Sequence, residues 1–480
     1  MQDMSIDQLC EALDAELKRK GLSRRDALKL AGLSSAAFML NPTESKAATV
    51  AHASDAKGKI VIVGGGAAGC SIANLLVNKL SNPNITVIEP DTTSVKYQPG
   101  QTLIAAGIWE KSDIMAQTAD FLSNEVTWMK DKVTEFDPDN NKVKTEKNGD
   151  VGYDYLIVAT GLQLNYEAIE GLKKEMIGTN GVASIYFPEG AVKTWDLMQQ
   201  FIASAKNGKK VEGVFTHPNT PIKCGGAPKK IMYLTHDRLV EAGARNNATL
   251  TFYPNGGKMF GVPEYHEAIT KQFIERDMKW KYKHNLVAID AAAKKATFEH
   301  HYLVKGEYDQ DLEEYEMIPQ IKEVEVPYDF IHVTPPMSAP DVVKNSKLAW
   351  QKGSAAKGGW IELTKETLQH PRFPNVFALG DVAGIPMGKT GGSVRKQYKV
   401  CADNLVSVMQ GKTPTAKYGG YTVCPLITGI GTVMLAEFDW TAKPTPSFPF
   451  DPAQERWMWW ILKVYMLKPM YFYGMLKGRA

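Results

Sequence analysis

The chain has 480 residues, 44% of them hydrophobic, which is enough to bury the cores of about two or three domains. Its net charge of +3 gives no reason to expect a nucleic-acid partner. Five cysteines without a C-x-x-C pair exclude a disulfide scaffold, and no His/Cys spacing suits a metal site.

The N-terminal residues 1–53 are predicted to be a twin-arginine export signal. Arg24 and Arg25 lie in "LSRRDALKL", a mildly apolar run follows to Leu40, and "AHA" at 51–53 offers a small-residue cleavage site. An amphipathic helix that happens to carry two arginines is the alternative, but the order of these segments favours the signal. The predicted location is the periplasmic side of the cytoplasmic membrane.

Residues 57–165 begin with a strand, a glycine turn, a helix and a second strand, in "KIVIVGGGAAGCSIANLLVNKLSNPNITVIEP". The glycines of G-x-G-x-x-G permit a tight turn and the close approach of a pyrophosphate to the helix N-terminus. The acid that ends the second strand is placed to bind a ribose. The predicted dinucleotide site consists of Gly64, Gly66, Ala67, Gly69 and Glu89.

Two later strands narrow the choice of dinucleotide. "YDYLIVATG" ends in Ala159, Thr160 and Gly161, and "HPRFPNVFALGDVAG" carries Gly380 and Asp381. With the glycine turn, these segments resemble the FAD-binding domain of the two-dinucleotide-domain flavoproteins, the disulfide-reductase superfamily. The resemblance implies FAD, with Asp381 at its ribityl chain. It also implies an α/β fold of two Rossmann-like domains, the second inserted into the first.

The second domain is predicted at 166–330, between the two parts of the FAD-binding domain at 57–165 and 331–410. Its first strand is "KKVEGVFTHP", its helix "APKKIMYLTHDRLVEAGAR" and its next strand "ATLTFYPN". Between strand and helix, where NADH-dependent relatives carry G-x-G-x-x-G, this chain reads "NTPIKCGGAP". We therefore expect that NAD(P)H is not the reductant.

Cys224, in that loop, is predicted to be catalytic. Lys223, Lys229 and Lys230 are close in sequence, and Pro228 suits the first turn of a helix whose positive end lowers the pKa of a thiol. A buried packing cysteine is the alternative. Proline, glycine and lysine are poor neighbours for a packing residue, which favours the reactive thiol.

Four segments make the resemblance more specific. "HPNTPIKCGGAPKKIMYL", "HVTPPMSAPD", "GDVAGIPMGKT" and "YTVCPLITG" are similar to the sulfide:quinone oxidoreductase family, in the branch close to the mitochondrial enzyme. In that family sulfide attacks a protein disulfide, one cysteine holds the persulfide, its partner reduces FAD, and electrons pass to membrane quinone. The resemblance implies that Cys224 is the first redox cysteine and that Lys389 stabilises reduced flavin. Residues implied near FAD are Gln98, Val133, Asp341, Lys389 and Thr390.

The second redox cysteine of that branch is missing, because Val382 follows the G-D aspartate. Three explanations stay open: Cys224 works alone with sulfur bridged to flavin, another cysteine replaces the partner, or the substrate differs. Cys424 is the best replacement by its loop-like surroundings. A packing role is nevertheless favoured for Cys424, as it is for Cys70 and Cys401.

The C-terminal region, 411–480, is predicted to hold interfacial membrane helices. A capping-box pattern at Asp451 starts "FDPAQERWMWWILKVYMLKPMYFYGMLKGRA", where aromatic residues lie beside Lys463 and Lys468. The apolar run is shorter than the roughly 20 residues of a bilayer span, but its composition suits a helix at the lipid surface. A helix over a soluble core or at a dimer contact is the alternative. Quinone is the predicted electron acceptor, the sulfur acceptor is unassigned, and a homo-oligomer is possible.

Three other functions fit parts of the sequence. The flavoprotein subunit of flavocytochrome c sulfide dehydrogenase often holds FAD through an early cysteine, which "VKYQPGQTL" lacks, and the chain has no C-x-x-C-H haem site. An NADH:quinone oxidoreductase is disfavoured by "NTPIKCGGAP" and by export. A flavin-bearing sulfur-binding protein without turnover would explain Val382.

Overall fold

A computed structural model describes residues 53–479, so the predicted export signal lies outside the described residues except at Ala53. The β-strands, numbered in chain order, are β1 (Ile60–Val63), β2 (Ile85–Ile88), β3 (Val126–Met129), β4 (Val133–Asp137), β5 (Lys142–Thr145), β6 (Gly149–Gly152), β7 (Tyr155–Val158), β8 (Gln163–Leu164), β9 (Val182–Ala183), β10 (Val211–His217), β11 (Ala248–Pro254), β12 (Lys279–Trp280), β13 (His284–Asp290), β14 (Lys295–Asp309), β15 (Glu314–Pro327), β16 (Phe330–His332), β17 (Met337–Ser338), β18 (Ile361–Glu362), β19 (Val376–Ala378), β20 (Ala383–Gly384), β21 (Thr422–Gly429), β22 (Thr432–Phe438) and β23 (Glu455–Arg456).

The α-helices, numbered in the same way, are α1 (Ala67–Lys79), α2 (Gln101–Ile104), α3 (Pro188–Lys206), α4 (Ala227–Glu241), α5 (Pro263–Glu275), α6 (Asp341–Lys344), α7 (Gly391–Met409), α8 (Trp457–Ile461) and α9 (Leu467–Pro469). Two π-helical segments, Leu462–Met466 and Met470–Met475, continue α8 and α9.

The first of two five-stranded parallel sheets has the order β19-β7-β1-β2-β3. Strands β1 and β2 are buried along their whole length, as expected for the apolar runs of a parallel sheet covered on both faces. Helix α1 connects them, and β7 and β19 end at the Ala-Thr-Gly and Gly-Asp motifs. The carboxyl ends of these strands therefore bring the separate motifs to one edge of the sheet.

The second parallel sheet has the order β12-β11-β10-β16-β9. All of its strands lie between β7 and β19 of the first sheet in the sequence, so this domain is inserted into the other. Helix α4 follows β10, and the loop between them holds Cys224. The predicted α/β fold of two Rossmann-like domains, one inserted into the other, is confirmed.

Antiparallel strands supplement both domains. They form three three-stranded sheets, β4-β5-β6, β13-β14-β15 and β21-β22-β23. Strand β21 runs beside α4 and carries Cys424, so the last of these sheets meets the second domain at the Cys224 loop.

The C-terminal segment differs in detail from its prediction. The predicted helix start at Asp451 is wrong: β23 first pairs with β22, with Val433 opposite Arg456, and α8 begins only at Trp457. A backbone partner on β22 therefore outweighs the local capping pattern. Within residues 53–479, no helix is both long enough and apolar enough to cross a bilayer.

The end of the C-terminal segment packs on the first domain. Tyr471, Phe472 and Leu476 are buried, and the Tyr471 hydroxyl donates to the carbonyl of Val95. Three lysines of the segment donate to backbone carbonyls of the first domain, in the pairs Lys463–Pro99, Lys468–Asp113 and Lys477–Asp120. Lys463 is buried.

Candidate active site

The glycine turn after β1 forms an open cradle at the N-terminus of α1. Gly64 has φ 103°, and a Cβ on it would meet the Ala159 carbonyl oxygen at 2.4 Å. A Cβ on Gly69 would lie 1.8 Å from the Gly64 oxygen, so both positions require glycine. At Gly66 a Cβ would come no closer than 3.5 Å to its surroundings, and no side chain of the described residues caps the helix there. The first amide groups of α1 are thus available to an anion.

Two polar side chains beside this cradle fit the ribose and pyrophosphate of a dinucleotide. The Glu89 carboxylate accepts from the amides of Gly65 and Asp91, each at 2.8 Å, and burial raises its pKa. The buried Thr160 hydroxyl has no hydrogen-bond partner among residues 53–479. A buried hydroxyl without a partner is costly, so a ligand at this edge of the sheet would satisfy it.

The Gly-Asp motif and Lys389 form a constrained turn rather than a solvated loop. The Lys389 ammonium donates to the carbonyls of Asp381 and Ala383, at 2.5 and 3.1 Å, and lies 3.5 Å from the centroid of the Trp360 ring. Burial lowers the pKa of Lys389 to about 7, although the Asp381 carboxylate opposes this shift. Thr390 caps α7 by accepting from the amide of Ser393. The Lys389 side chain can therefore gain or lose a proton near neutral pH.

The remaining residues predicted near the cofactor lie in different surroundings. Gln98 accepts from the Lys223 ammonium at 2.7 Å, so the first domain is joined to the cysteine loop. Asp341, at the start of α6, accepts from the Gln163 amide at 3.4 Å. Val133 is buried in the apolar cluster of the first domain, where it packs as a core residue.

Cys224 lies just before α4 in a strained backbone conformation. Its φ of 81° is uncommon for a residue with a Cβ and is of the kind that often marks functional positions. The Ala227 amide donates to its carbonyl at 2.6 Å. The Lys230 ammonium lies 3.4 Å from its sulfur, which places a cation on the thiol from the first turn of α4.

The sulfur of Cys424 lies 4.0 Å from that of Cys224. Cys424 is buried on β21, in agreement with the predicted packing role, but that prediction did not include its contact with Cys224. A hydrogen bond from the Cys424 thiol, together with Lys230 and Lys463, holds the pKa of Cys224 well below its usual value. The same contact and burial raise the pKa of Cys424. The direct contact with Lys230 therefore favours the thiolate form of Cys224.

The other two described cysteines are confirmed as packing residues. Cys70 in α1 and Cys401 in α7 are fully buried, and burial raises the pKa of Cys70 to about 12 and also raises that of Cys401. Burial therefore favours the protonated, less nucleophilic form of both thiols.

Of the lysines around the thiolate, the sequence identified Lys230 and missed Lys463. Lys229 donates to the Gly225 carbonyl, and burial lowers its pKa to about 8. Lys463 reaches the site from the C-terminal segment, and burial and Lys230 lower its pKa to about 7. Its position depends on how a distant segment packs, and no local pattern indicates this.

One cavity of about 1750 Å³ joins the two halves of the site. Its walls include Cys224, Cys424, Lys389, Thr390 and Trp360. The structure therefore brings the reactive thiol of the second domain and the lysine turn of the first to one chamber.

Comparison with known proteins gives the family. Residues 58–187 match the pyridine nucleotide-disulphide oxidoreductase family. The mitochondrial sulfide:quinone oxidoreductase of Mus musculus is 37% identical over 421 residues, which cover 88% of this chain and 86% of the relative. The enzyme of the same name from Dictyostelium discoideum is 39% identical over 422 residues, with the same shares.

The fold comparison agrees. The crystal structure of the sulfide:quinone oxidoreductase from Aquifex aeolicus superimposes with a TM-score of 0.69 at 21% identity, and the match covers 88% of this chain and 92% of that one. Because identity above 30% extends over most of the chain, the protein is an oxidoreductase that belongs to the sulfide:quinone oxidoreductase family.

Proposed function

We propose that the protein is an FAD-dependent sulfide:quinone oxidoreductase that binds sulfide sulfur on Cys224 and passes two electrons to membrane quinone. The observation that carries the proposal is the single chamber that both Cys224 and the Lys389 turn line. The thiolate is the form of cysteine that reacts with sulfur, and Lys230 stabilises it at Cys224. The chamber is large enough for small substrates.

FAD is the proposed cofactor, and the residues of the glycine cradle fit it. Gly66 and the start of α1 would receive the pyrophosphate, while Glu89 and Thr160 would bind ribose hydroxyls. Lys389 supplies a cation where negative charge develops when the cofactor is reduced. When bound, FAD supplies a two-electron acceptor between sulfide and quinone.

At Cys224 the chain itself holds the sulfur and controls charge. Conversion of sulfide sulfur into the sulfane sulfur of a Cys224 persulfide releases two electrons, which bound FAD would accept. Lys230 compensates the negative charge on the Cys224 side chain. Lys463, which has a lowered pKa, reaches the same site from the C-terminal segment. A nucleophile that takes the sulfane sulfur returns Cys224 to a thiolate.

Membrane association is proposed from the exposed aromatic residues of the C-terminal segment. Tyr465 and Tyr473 are 50% and 70% exposed, while their neighbours anchor the segment to the first domain. Aromatic side chains presented in this way suit the interface of a bilayer, which is the source of quinone.

Export by the twin-arginine pathway is proposed from Arg24 and Arg25, which lie outside the described residues. The Mus musculus and Dictyostelium discoideum relatives have "mitochondrial" in their names. A fusion of residues 1–53 to a folded reporter is expected to reach the periplasm of a bacterial host. Retention of that fusion as fully as its Arg24→Lys/Arg25→Lys variant would contradict the proposal.

The test of function is sulfide-dependent reduction of a soluble quinone by the purified holoprotein. We expect turnover with sulfide, little with NADH, and loss of turnover in Cys224→Ser. Binding of sulfane sulfur without quinone reduction would instead support the sulfur-binding alternative.

A further inference from the structure

The hairpin of β14 and β15 extends well beyond the sheet to which it belongs. Within residues 53–479, β13 pairs with β14 as far as His300, whereas β14 and β15 stay paired out to Asp309 and Glu314. At roughly 3.4 Å per residue, the two strands continue for about 30 Å as a two-stranded ribbon. This ribbon, residues 301–321, is the arm. A ribbon of two strands is marginally stable in water unless another surface packs on it.

The arm carries most of the exposed apolar side chains of the described chain. Among residues 53–479, nine of the thirteen large hydrophobic residues that are exposed lie between Tyr302 and Ile321. The walls of the chamber are formed by residues outside the arm, so sulfide chemistry does not account for this surface. An exposed apolar patch of this kind marks a site where another molecule binds.

Strand pairing places the most exposed of these side chains on one face of the arm. Leu303 lies opposite Pro319, with Ile321 one position nearer the second domain and Met317 one position nearer the tip. Because side chains two residues apart share a face, these four residues form an apolar stripe. Leu303, Met317 and Ile321 are 57%, 48% and 59% exposed, whereas three large apolar residues of the opposite face are only 36–37% exposed.

Two properties of the arm disfavour other ways of binding. Pro319 lies within β15 and has no N–H to donate, so the free edge of this strand is a poor template for a further strand. Residues 302–321 contain six acidic residues and one lysine, a net charge of −5. An anionic membrane surface attracts basic segments and would repel this one. The face of the arm, packed on a protein, is the binding mode that remains.

Charged side chains at the two ends of the stripe are complementary. Lys305 lies opposite Met317 at the end near the tip. At the other end Glu299 lies directly opposite Glu323, and two like charges in such a pair are unfavourable. His301, whose ring is 3.4 Å from Glu299, offsets this only when it is protonated. A second arm turned by 180° would bring its own Lys305 to this pair of carboxylates.

We propose that the stripe is a dimerisation surface on which the same stripe of a second copy of this chain packs, antiparallel, about a two-fold axis near Leu303. Such a contact is self-complementary, because the lysine end of each arm meets the carboxylate end of the other. The inference does not depend on the proposed function.

The available area suits a reversible dimer. A half-exposed large side chain contributes about 100 Å², so the three large apolar residues of the stripe and the three charged residues at its ends offer on the order of 600 Å² per copy. Two copies would bury about 1,200 Å², which is at the lower end of the range for specific interfaces. We therefore expect a dimer that dissociates on dilution.

Sedimentation velocity of the purified holoprotein across the micromolar range tests the proposal. We expect a monomer–dimer equilibrium in the wild type and an association at least about 10-fold weaker in Leu303→Asp/Ile321→Asp, because the contact would bury two carboxylates. Tyr302→Asp/Ile318→Asp is the matched control, since it places the same charges on the opposite face at the same diagonal spacing. This control should associate like the wild type. Equal loss of the dimer in both variants would overturn the proposal.

A wild type that stays monomeric throughout this range would also overturn the proposal. Loss of its vesicle binding in Leu303→Asp/Ile321→Asp would then assign the stripe to lipid, and unchanged vesicle binding would assign it to a different protein. Sulfide-dependent quinone reduction by the arm variants should equal that of the wild type, so the outcome is distinguishable from a failure of the proposed function.

Charge reversal at the ends of the stripe gives a readout that a folding defect would not reproduce. Lys305→Glu should weaken the dimer, and Lys305→Glu/Glu299→Lys/Glu323→Lys should restore it, because the reversed ends are again of opposite sign. Tyr465→Ser/Tyr473→Ser, on the C-terminal segment, should leave the dimer unchanged. A triple variant that fails to recover, or a dimer that is lost in the C-terminal variant, would contradict a contact between the two stripes.

Discussion

Lys230 favours the charged form of Cys224, because its ammonium nitrogen lies 3.4 Å from the cysteine sulfur. We predict that Lys230→Gln raises the pKa of the Cys224 thiol, since the thiolate loses its nearest cation. At a fixed pH near neutrality, alkylation of Cys224 in the reduced protein should become slower.

The measurement is the alkylation rate of Cys224 against pH, followed by peptide mass spectrometry. Lys258→Gln is the matched control, because Lys258 is an exposed lysine on the wall of the same chamber. An unchanged midpoint in Lys230→Gln would show that the hydrogen bond does not control the thiolate.

The pair Gly225 and Gly226 separates a steric effect from a backbone effect. Gly226→Ala places a methyl group 2.6 Å from the Cys424 sulfur, so β21 must shift. We expect this variant to lose about 1–3 kcal/mol of the free energy of unfolding, as overpacking typically costs.

Gly225→Ala meets nothing within 4 Å and should change the free energy of unfolding by less than about 1 kcal/mol. Denaturant unfolding of both variants checks the prediction. Equal effects of the two substitutions would contradict it.

The residues of the site differ in how far the sequence could predict them. Cys224, Lys230 and Lys389 lie in short motifs whose glycine, proline and lysine content indicates a functional loop. Cys424 lies on a strand and contacts Cys224 only through the packing of β21 against α4. Its pattern alone is that of a buried strand residue, and the contact depends on tertiary structure.

At the scale of elements, the N-terminus of α1 is built to receive an anion. Gly66→Ala leaves the protein free of clashes, since its Cβ would come no closer than 3.5 Å to the Ser94 carbonyl oxygen. The methyl group would, however, stand where the pyrophosphate approaches the backbone. We predict a weaker FAD affinity with an unchanged melting temperature of the FAD-free protein.

FAD retention on gel filtration and thermal unfolding of the FAD-free protein measure the two effects. Gly69→Ala is the contrasting variant, because its Cβ would lie 1.8 Å from the Gly64 oxygen and should destabilise the fold itself. Wild-type FAD retention by Gly66→Ala would contradict the assignment of the cradle.

The C-terminal segment makes stability depend on pH through Lys463. Burial lowers the pKa of Lys463 to about 7, while a lysine in the unfolded chain titrates near about 10.4. Between these values the unfolded chain binds a proton that the folded protein does not, so the free energy of unfolding rises with pH. We predict that Lys463→Met flattens this rise by at most about 1.4 kcal/mol per pH unit.

Urea unfolding of the holoprotein at pH 7, 8 and 9 measures the slope. Lys468→Met is the matched control, because it removes a lysine of the same segment that is partly exposed and bonded to the Asp113 carbonyl. Equal slopes in the wild type and Lys463→Met would show that Lys463 is charged in the folded protein.

The sequence predicted the strands and the helix correctly wherever an apolar run lies next to a glycine motif. Strands β1, β2, β7 and β19 and helix α1 lie where the motifs predicted them. The C-terminal segment could not be predicted in the same way, because β23 is defined by its partner strand β22 and not by its own composition.

For the whole molecule, we propose that the C-terminal segment is the face that contacts a membrane. We predict that Tyr465→Ser/Tyr473→Ser weakens co-sedimentation with anionic lipid vesicles, because the two side chains are the exposed aromatics of the C-terminal segment. Sulfide-dependent reduction of a soluble quinone should persist.

The control is Tyr308→Ser/Tyr315→Ser on the β14–β15 hairpin, where the two tyrosines are 50% and 46% exposed. This pair changes a similar exposed aromatic area elsewhere on the protein. Equal loss of vesicle binding in both variants would contradict a specific membrane face at the C-terminus.

The most direct measurement is anaerobic titration of the purified holoprotein with sulfide, following the absorbance of the flavin. Bleaching in the wild type by sulfide but not by NADH, and its loss in Cys224→Ser, is the predicted result. Bleaching that persists in Cys224→Ser would show that the reaction does not depend on this cysteine. If sulfide fails to reduce the flavin of the wild type, the result would contradict sulfide oxidation itself.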